Sequence, residues 1–171
     1  GIVLEIGSGS GLNFPYYKTS KVKKIFALEP DKEMIELARQ ETKKSSIEIT
    51  FLQEYAERIS LKDNSVDTIL LTYSLCTIPD PISALKEMKR VLRSNGCLVY
   101  CEHGMAPESS IRKWQNRLNP INSYFSGGCN LNRNIMQLIT ESGFKIQKSE
   151  TMYLPGTTKL VGYNYWGTAV I

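Results

Sequence analysis

Histidines, paired cysteines and long apolar runs are scarce or missing in this sequence. It contains one histidine, His103, and four cysteines, none of them in a C-x-x-C pair. Zinc sites are built mainly from such pairs and from histidines, so we expect no metal site. The free thiols indicate a reducing compartment such as the cytoplasm. No apolar run approaches the ~20 residues of a membrane-spanning helix and no signal peptide is recognised, so we expect neither a membrane span nor secretion.

The sequence also has only a small excess of positive over negative charge. The formal net charge is +4, and the basic cluster from Lys18 to Lys24 has no interleaved aromatic residues that could stack on bases. We therefore expect no nucleic-acid partner, while peripheral contact with a membrane surface stays open. With 171 residues the chain is long enough for one sizeable core and too short for two, so residues 1–171 are predicted to form a single domain.

The first dozen residues contain the most informative pattern. Ile2 to Ile6 form a short apolar run that is typical of a buried parallel strand, and glycines follow at positions 7, 9 and 11. Such a loop lets a ligand approach the backbone, and its free N–H groups suit a carboxylate or a phosphate. The dinucleotide fingerprint G-x-G-x-x-G is not met, because Leu12 and Phe14 stand where its third glycine would fall. This failure argues against a dinucleotide-dependent oxidoreductase.

A second strand, residues 24–28, ends at the acidic residue Glu29. A carboxylate at the tip of the second strand can accept one hydrogen bond from each ribose hydroxyl of a nucleoside. Asp31 then predicts a helix N-cap, and Met34, Ile35 and Ala38 give that helix an apolar stripe. The order strand, glycine loop, strand and acid predicts a nucleoside-binding site at this edge of the sheet.

The remaining pattern predicts strands and helices that alternate up to two final strands, with a turn at residues 155–156 between them. Pro15 limits any first helix to a few turns, and we expect Arg93–Gly96 to stop a helix with a left-handed residue. Further strands are predicted at residues 47–51, 68–71, 97–101, 144–149 (with an extension to 154) and 162–171, and helices at 82–92, 109–118 and 132–142.

The spacing E-x-G-x-G-x-G at Glu5 to Gly11 resembles motif I of the class I S-adenosylmethionine-dependent methyltransferases. Residues 80–96, D-P-I-S-A-L-K-E-M-K-R-V-L-R-S-N-G, resemble the helix that precedes the fifth strand in ubiquinone-type methyltransferases. The resemblance implies a Rossmann-like α/β fold, with a seven-stranded, mostly parallel sheet, one antiparallel strand and helices on both faces. It implies S-adenosylmethionine as cofactor and methyl transfer as the reaction.

The same resemblance assigns roles to individual residues. It places the glycine loop under the methionine part of the cofactor, Glu29 on the ribose, and Thr72 beside the transferable methyl. Tyr55 stands where the family usually has an acidic residue, which leaves the Ala56 N–H for the adenine ring and Glu54 as a substitute acid. The implied cofactor-binding residues are Glu5, Gly7, Ser8, Gly9, Gly11, Glu29, Pro30, Met34, Tyr55, Ala56 and Thr72.

The segments E-H-G-M-A, W-Q, L-N-P and G-C-N-L-N-R, all after residue 101, more narrowly resemble the thiol methyltransferase family and its bacterial relatives. This implies a small or lipidic acceptor, with a thiol as one candidate and residues 103–130 as a substrate cap. His103 becomes a candidate base, with pocket shaping as the alternative, and Tyr16, Tyr17 and Trp114 become candidate substrate contacts. Two other functions stay open: C- or N-methylation of a quinone or phospholipid, and a non-catalytic methyltransferase-like binding protein.

Overall fold

The computed structural model describes residues 1–43 and 45–171, and these form one seven-stranded sheet with helices on both faces. The strands are β1 (Ile2–Ile6), β2 (Lys24–Leu28), β3 (Glu48–Leu52), β4 (Val66–Thr72), β5 (Leu92–His103), β6 (Lys145–Tyr153) and β7 (Tyr163–Val170). The helices are α1 (Lys32–Thr42), α2 (Pro81–Val91), α3 (Ser109–Phe125) and α4 (Ile135–Glu141), with a short 3-10 helix at Phe14–Tyr16.

The strand order is β3-β2-β1-β4-β5-β7-β6. The pairs among β1 to β5 are parallel, and β7 runs antiparallel to both β5 and β6. This confirms the predicted fold class, including its single antiparallel strand. The order reverses between β1 and β4, and ligands of open α/β sheets bind at such a switch point, beyond the carboxyl ends of the strands.

The sheet is covered on its two faces by different elements. Val3, Ile25 and Ala27 pack with Phe14 of the 3-10 helix and Ala38 of α1. The opposite face of the sheet packs against apolar residues of α2 and α4, in the larger of the two core clusters. The amphipathic stripes predicted for α1 and α2 therefore face the core, and Asp31 caps α1 through Glu33 N and Met34 N.

The junction of α2 and β5 differs from the prediction. No residue from Arg93 to Gly96 has a left-handed backbone, and β5 begins directly at Leu92. Gly96 is required for space instead, because a Cβ there would lie 2.6 Å from Leu92 Cδ1 and 2.8 Å from Asp67 O. By contrast, the predicted glycine stop after α4 is confirmed, with Gly143 at φ +85°.

Helix α3 runs past the predicted end at residue 118 and contains Pro120. A proline inside a helix removes one backbone donor, so the turns around Pro120 need other support. The segment that follows α3 holds the extra turns: Asn119 Oδ1 accepts from Leu131 N at 2.7 Å, and Asn122 Nδ2 donates to Cys129 O at 2.8 Å. None of the helices within residues 1–43 and 45–171 combines the length and the apolar character that a membrane span requires.

Candidate cofactor and active site

A cleft of about 450 Å³ lies at the carboxyl ends of β1, β2 and β4, where the strand order predicts a ligand. Ile6 and Leu28 end two of these strands, and Tyr73 and Ser74 follow the third. Gly127 and Gly128, in the segment after α3, also line the cleft. The complete lining is Ile6, Gly7, Leu28, Glu29, Pro30, Tyr55, Ala56, Glu57, Tyr73, Ser74, Thr77, Ile78, Pro79, Gly127 and Gly128.

The glycine loop borders this cleft, and its backbone explains the glycines. Gly7, Gly9 and Gly11 all have positive φ, at +65°, +52° and +81°. A Cβ on Gly7 would lie 2.3 Å from Ser74 Oγ, which itself donates to Ile6 O at 2.8 Å. The first glycine is thus needed both for its conformation and for the close approach of the turn after β4.

Glu29 lies at the tip of β2, as predicted, and is buried. Its Oε2 accepts from Gly9 N at 2.9 Å, and its Oε1 accepts from Asp31 N at 3.1 Å. Each carboxylate oxygen retains a further lone pair, so the group can still accept from a ribose diol. Glu29 therefore connects the glycine loop, the cleft and the start of α1.

Ser8 has a buried hydroxyl whose hydrogen-bonding capacity is not used by the residues described. The residue is buried, yet its Oγ has no hydrogen-bond partner among the residues described. A buried hydroxyl without a partner is costly, and a bound polar group is a common explanation. This position, within the loop predicted to hold the methionine end of S-adenosylmethionine, fits that cofactor.

The residues predicted to face the adenine differ in their burial and in whether they line the cleft. Ala56 is buried in the lining and Tyr55 is exposed in it, and Pro30 also lines the cleft. Met34 is half-buried, and its Cε lies 3.6 Å from the position of a Cβ built on Gly9. Glu54, the suggested substitute acid, instead accepts from Ser60 N at 2.9 Å, whereas Glu57 lines the cleft.

Glu5 sits behind the loop rather than in the cleft lining. It is fully buried and accepts from Asn13 Nδ2 at 2.9 Å and from Tyr17 OH at 2.7 Å. Burial raises its pKa, while these two bonds act in the opposite direction. Asn13 Nδ2 also donates to Thr72 Oγ1 at 3.0 Å, so this network joins the acid of the motif to the end of β4.

The three predicted substrate contacts differ in their exposure and in their contacts with other residues. The Tyr17 hydroxyl is engaged with Glu5, and burial raises its pKa. Tyr16 is 83% exposed on the 3-10 helix. Trp114 is 54% exposed on α3, with the Arg117 guanidinium carbon 5.8 Å from its ring centroid. None of the three lines the cleft.

His103 ends β5, as predicted, next to the cleft residue Tyr73. The two rings lie 6.4 Å apart, and Tyr73 has a left-handed backbone with φ +52°, an uncommon conformation that clusters at functional sites. His103 Nε2 lies 3.1 Å from Cys129 Sγ. Burial lowers the pKa of His103, which favours the neutral imidazole.

Sequence reasoning missed Glu102 and Asn130, which organise this corner. Glu102 is fully buried and accepts from Ser74 N at 2.8 Å; burial raises its pKa to about 7. Asn130 donates to Cys76 O through its backbone N at 2.9 Å and through its side chain at 3.0 Å. Two signals were present in the sequence: the alternation of β5, which turns Glu102 inward, and the G-C-N-L-N-R segment, which contains Asn130.

The fold, the glycine loop and the acid at the tip of β2 define a class I methyltransferase, and the comparisons with known proteins agree. A family model described as a methyltransferase domain matches residues 4–100, and the chain belongs to this family. It is an S-adenosylmethionine-dependent methyltransferase, and S-adenosylmethionine is its cofactor.

Two sequence relatives and one solved structure illustrate the similarity to individual methyltransferases. The chain is 30% identical to thiol S-methyltransferase TMT1B from Rattus norvegicus over 173 residues, which cover 98% of this chain and 70% of that protein. It is 28% identical to a phosphatidylethanolamine N-methyltransferase from Cereibacter sphaeroides over 127 residues, or 69% of this chain and 62% of that protein. Its fold is similar to that of a SAM-dependent methyltransferase from Methanosarcina mazei, with a TM-score of 0.76, 21% identity and coverage of 99% of this chain and 91% of that one.

Proposed function

We propose that this methyltransferase transfers the methyl group to the thiol of a small or lipidic molecule. The observation that carries the proposal is the extent of the similarity to the thiol S-methyltransferase, which covers 98% of the chain. That extent takes in the segment between β5 and α4, where residues 103–130 are the proposed substrate cap. The cofactor-binding half is common to the whole family, so this segment is where acceptor choice would differ.

S-adenosylmethionine supplies an activated methyl group on a sulfonium sulfur. Glu29 would hold the ribose, the backbone from Gly7 to Gly11 with Ser8 Oγ would hold the methionine end, and Ala56 would meet the adenine. Positioning of this kind can contribute several kcal/mol toward an in-line transfer, which needs the reacting atoms about 3 Å apart. The methyl carbon would bond to the acceptor sulfur as its bond to the cofactor sulfur breaks.

The acceptor sulfur has to lose its proton first, because the thiolate is the nucleophile. The assignments of His103 as the base and of Thr72 as a group beside the methyl stay predictions. Tyr16 and Trp114, both largely exposed, are candidates for contact with an apolar acceptor. Tyr17 is a weaker candidate because its hydroxyl is bonded to Glu5.

The test is an acceptor panel built on one carbon skeleton: the thiol, the alcohol and the amine, with a quinone and phosphatidylethanolamine vesicles beside them. S-adenosylhomocysteine formation and the mass of the methylated product are measured for each. We expect the thiol to be methylated and the others to stay at background. Methylation of the quinone or the lipid without methylation of the thiol would contradict the proposal and favour the second candidate, which the phosphatidylethanolamine N-methyltransferase match supports.

Cofactor binding with no product from any member of the panel is the third outcome. That outcome would contradict the thiol proposal while leaving the cofactor site intact, so binding and turnover are measured on the same preparation.

A further inference from the structure

Three side chains with soft or borderline donor atoms converge beside the cleft. Cys76 comes from the turn after β4, His103 from the end of β5 and Cys129 from the segment after α3. One ligand atom from each lies within 4.8 Å of the ligand atoms of the other two, and His103 Nε2 and Cys129 Sγ are 3.1 Å apart. Spacing along the sequence could not reveal this group, because the three residues come from separate segments.

The surrounding residues hold the three donors in place. Asn130 binds Cys76 O through both its backbone and its side chain, and Asn122 Nδ2 donates to Cys129 O at 2.8 Å. Arg133 donates to Leu75 O and, at 2.7 Å, to Ile78 O, on either side of Cys76. The Tyr73 ring stacks on His103. Metal sites depend on this kind of outer support, which fixes the orientation of the ligating side chains.

We propose that Cys76, His103 and Cys129 bind one Zn²⁺ ion and leave its fourth position to an exogenous ligand. Two thiolates and one imidazole match the preferences of Zn²⁺ and balance its charge, and three protein ligands with one open position are typical of catalytic rather than structural zinc. Binding would release the two thiol protons to solvent. Cys76 is buried while His103 and Cys129 are only half-buried, so the site is reachable from their side.

The zinc site also suggests the fate of the acceptor, a step that rests on the proposed thiol function. Cys76 Sγ lies 3.4 Å from Thr77 Oγ1, and Thr77 and Tyr73 line the cleft. An acceptor thiol in the fourth position would bind as thiolate and release its proton to solvent, because a coordinating thiol is deprotonated outright. His103 would then act as a metal ligand through Nε2 rather than as a free base.

The test measures zinc on the purified protein without cofactor or acceptor, so that its failure says nothing about thiol methylation. After reduction, incubation with Zn²⁺ and gel filtration, elemental analysis should give about one equivalent in the wild type and in Cys97→Ala, and less than about a tenth in Cys129→Ala or Cys76→Ala. Cys97 is a matched control, being a half-buried free cysteine outside the cluster. Equal zinc in all four proteins, or none in the wild type, would overturn the proposal.

A second measurement uses only the wild type, so the proposal can still be tested if the cysteine variants fail to fold. Alkylation followed by mass spectrometry should show the half-buried Cys129 protected by Zn²⁺ and exposed again by a chelator, with Cys97 unaffected by either. Unchanged alkylation of Cys129 in the presence of Zn²⁺ would overturn the proposal. So would a Cys76–Cys129 disulfide that, once reduced, takes up no metal.

Discussion

Gly9 N donates to Glu29 Oε2 at 2.9 Å, a bond that joins the glycine loop after β1 to the acid at the tip of β2. The two features were predicted as separate contacts with one cofactor, and they contact each other directly. The carboxylate therefore organises the loop as well as offering acceptors to the ribose. Any change at Glu29 should affect both ends of the cofactor.

Gly7→Ala is expected to lose cofactor binding and to destabilise the fold. The added Cβ would meet Ser74 Oγ at 2.3 Å, in a residue with φ +65°. Gly156→Ala is the matched control, because Gly156 has φ +78° with nothing within 4 Å of the added Cβ. The left-handed backbone should cost the control about 1–2 kcal/mol in urea unfolding, and the clash should make Gly7→Ala clearly worse. Equal losses in the two variants would show that the close approach to Ser74 does not matter.

Ser8→Ala is expected to act in opposite directions on stability and on binding. Removal of a buried hydroxyl without a partner should leave the free protein as stable or raise its unfolding free energy by up to about 1 kcal/mol. The affinity for S-adenosylmethionine should fall roughly fivefold if the hydroxyl bonds to the bound cofactor. Unchanged affinity, measured by calorimetry, would remove Ser8 from the cofactor site.

Tyr17→Phe tests whether Tyr17 supports the fold or contacts the acceptor. Loss of the bond to the buried Glu5 should lower the unfolding free energy by about 1–3 kcal/mol. Tyr16→Phe, at a residue that is 83% exposed, should stay within about 0.5 kcal/mol of the wild type. If Tyr17→Phe instead unfolded like the wild type and raised only the KM for the acceptor, Tyr17 would be a substrate contact.

A pH-dependent contribution to stability is expected from Glu87, which clamps the segment containing Tyr55 and Ala56. Its carboxylate accepts from Arg90 Nε at 2.8 Å and from Ile59 N at 3.0 Å, and these bonds lower its pKa below the ordinary 4.5 despite partial burial. Because the pKa of Glu87 is lower in the folded state, its carboxylate stabilises the fold at pH values above the ordinary pKa. That stabilisation is lost as the pH falls through the lowered, folded-state pKa.

Urea unfolding of Glu87→Gln against the wild type measures this contribution. The difference should be large at pH 7 and shrink between pH 5 and pH 3, about the range over which such carboxylates take up protons. Glu36→Gln is the control, because Glu36 pairs with Arg39 at the same spacing on α1 with both side chains more than half exposed. A difference that does not depend on pH would refute the role given to the Glu87 carboxylate.

The features that could be predicted from the sequence are those with a local signature. The run from Ile2 to Gly11 and the acid at Glu29 are adjacent to strand ends, and parallel strands bring their carboxyl ends together. The strands and helices and their order followed from periodicity, but β5 begins at Leu92 rather than at residue 97, and α3 ends at Phe125 rather than at residue 118. The closing hairpin was implied by the resemblance to the family. The order of the strands then placed the cleft.

The features that could not be predicted depend on packing between distant segments. The extension of α3 past Pro120 relies on Asn119 and Asn122 bonding to residues 129–131. Tyr17 was predicted as a candidate substrate contact, because nothing in the sequence showed that its hydroxyl would donate to Glu5 in the fold. The Cys76, His103 and Cys129 cluster exists only because three segments meet beside Tyr73.

Calorimetric titration with S-adenosylmethionine and, separately, with S-adenosylhomocysteine tests the central claim most directly. We predict that both ligands bind the wild type with micromolar affinity. The control Glu33→Ala should bind them nearly as well, because Glu33 lies on the exposed side of α1. Glu29→Ala should lose at least about tenfold in affinity, since hydrogen bonds to a charged group contribute about 1.5–3 kcal/mol. No binding of either ligand to the folded chain, or equal binding by Glu29→Ala, would contradict the account of the cofactor site.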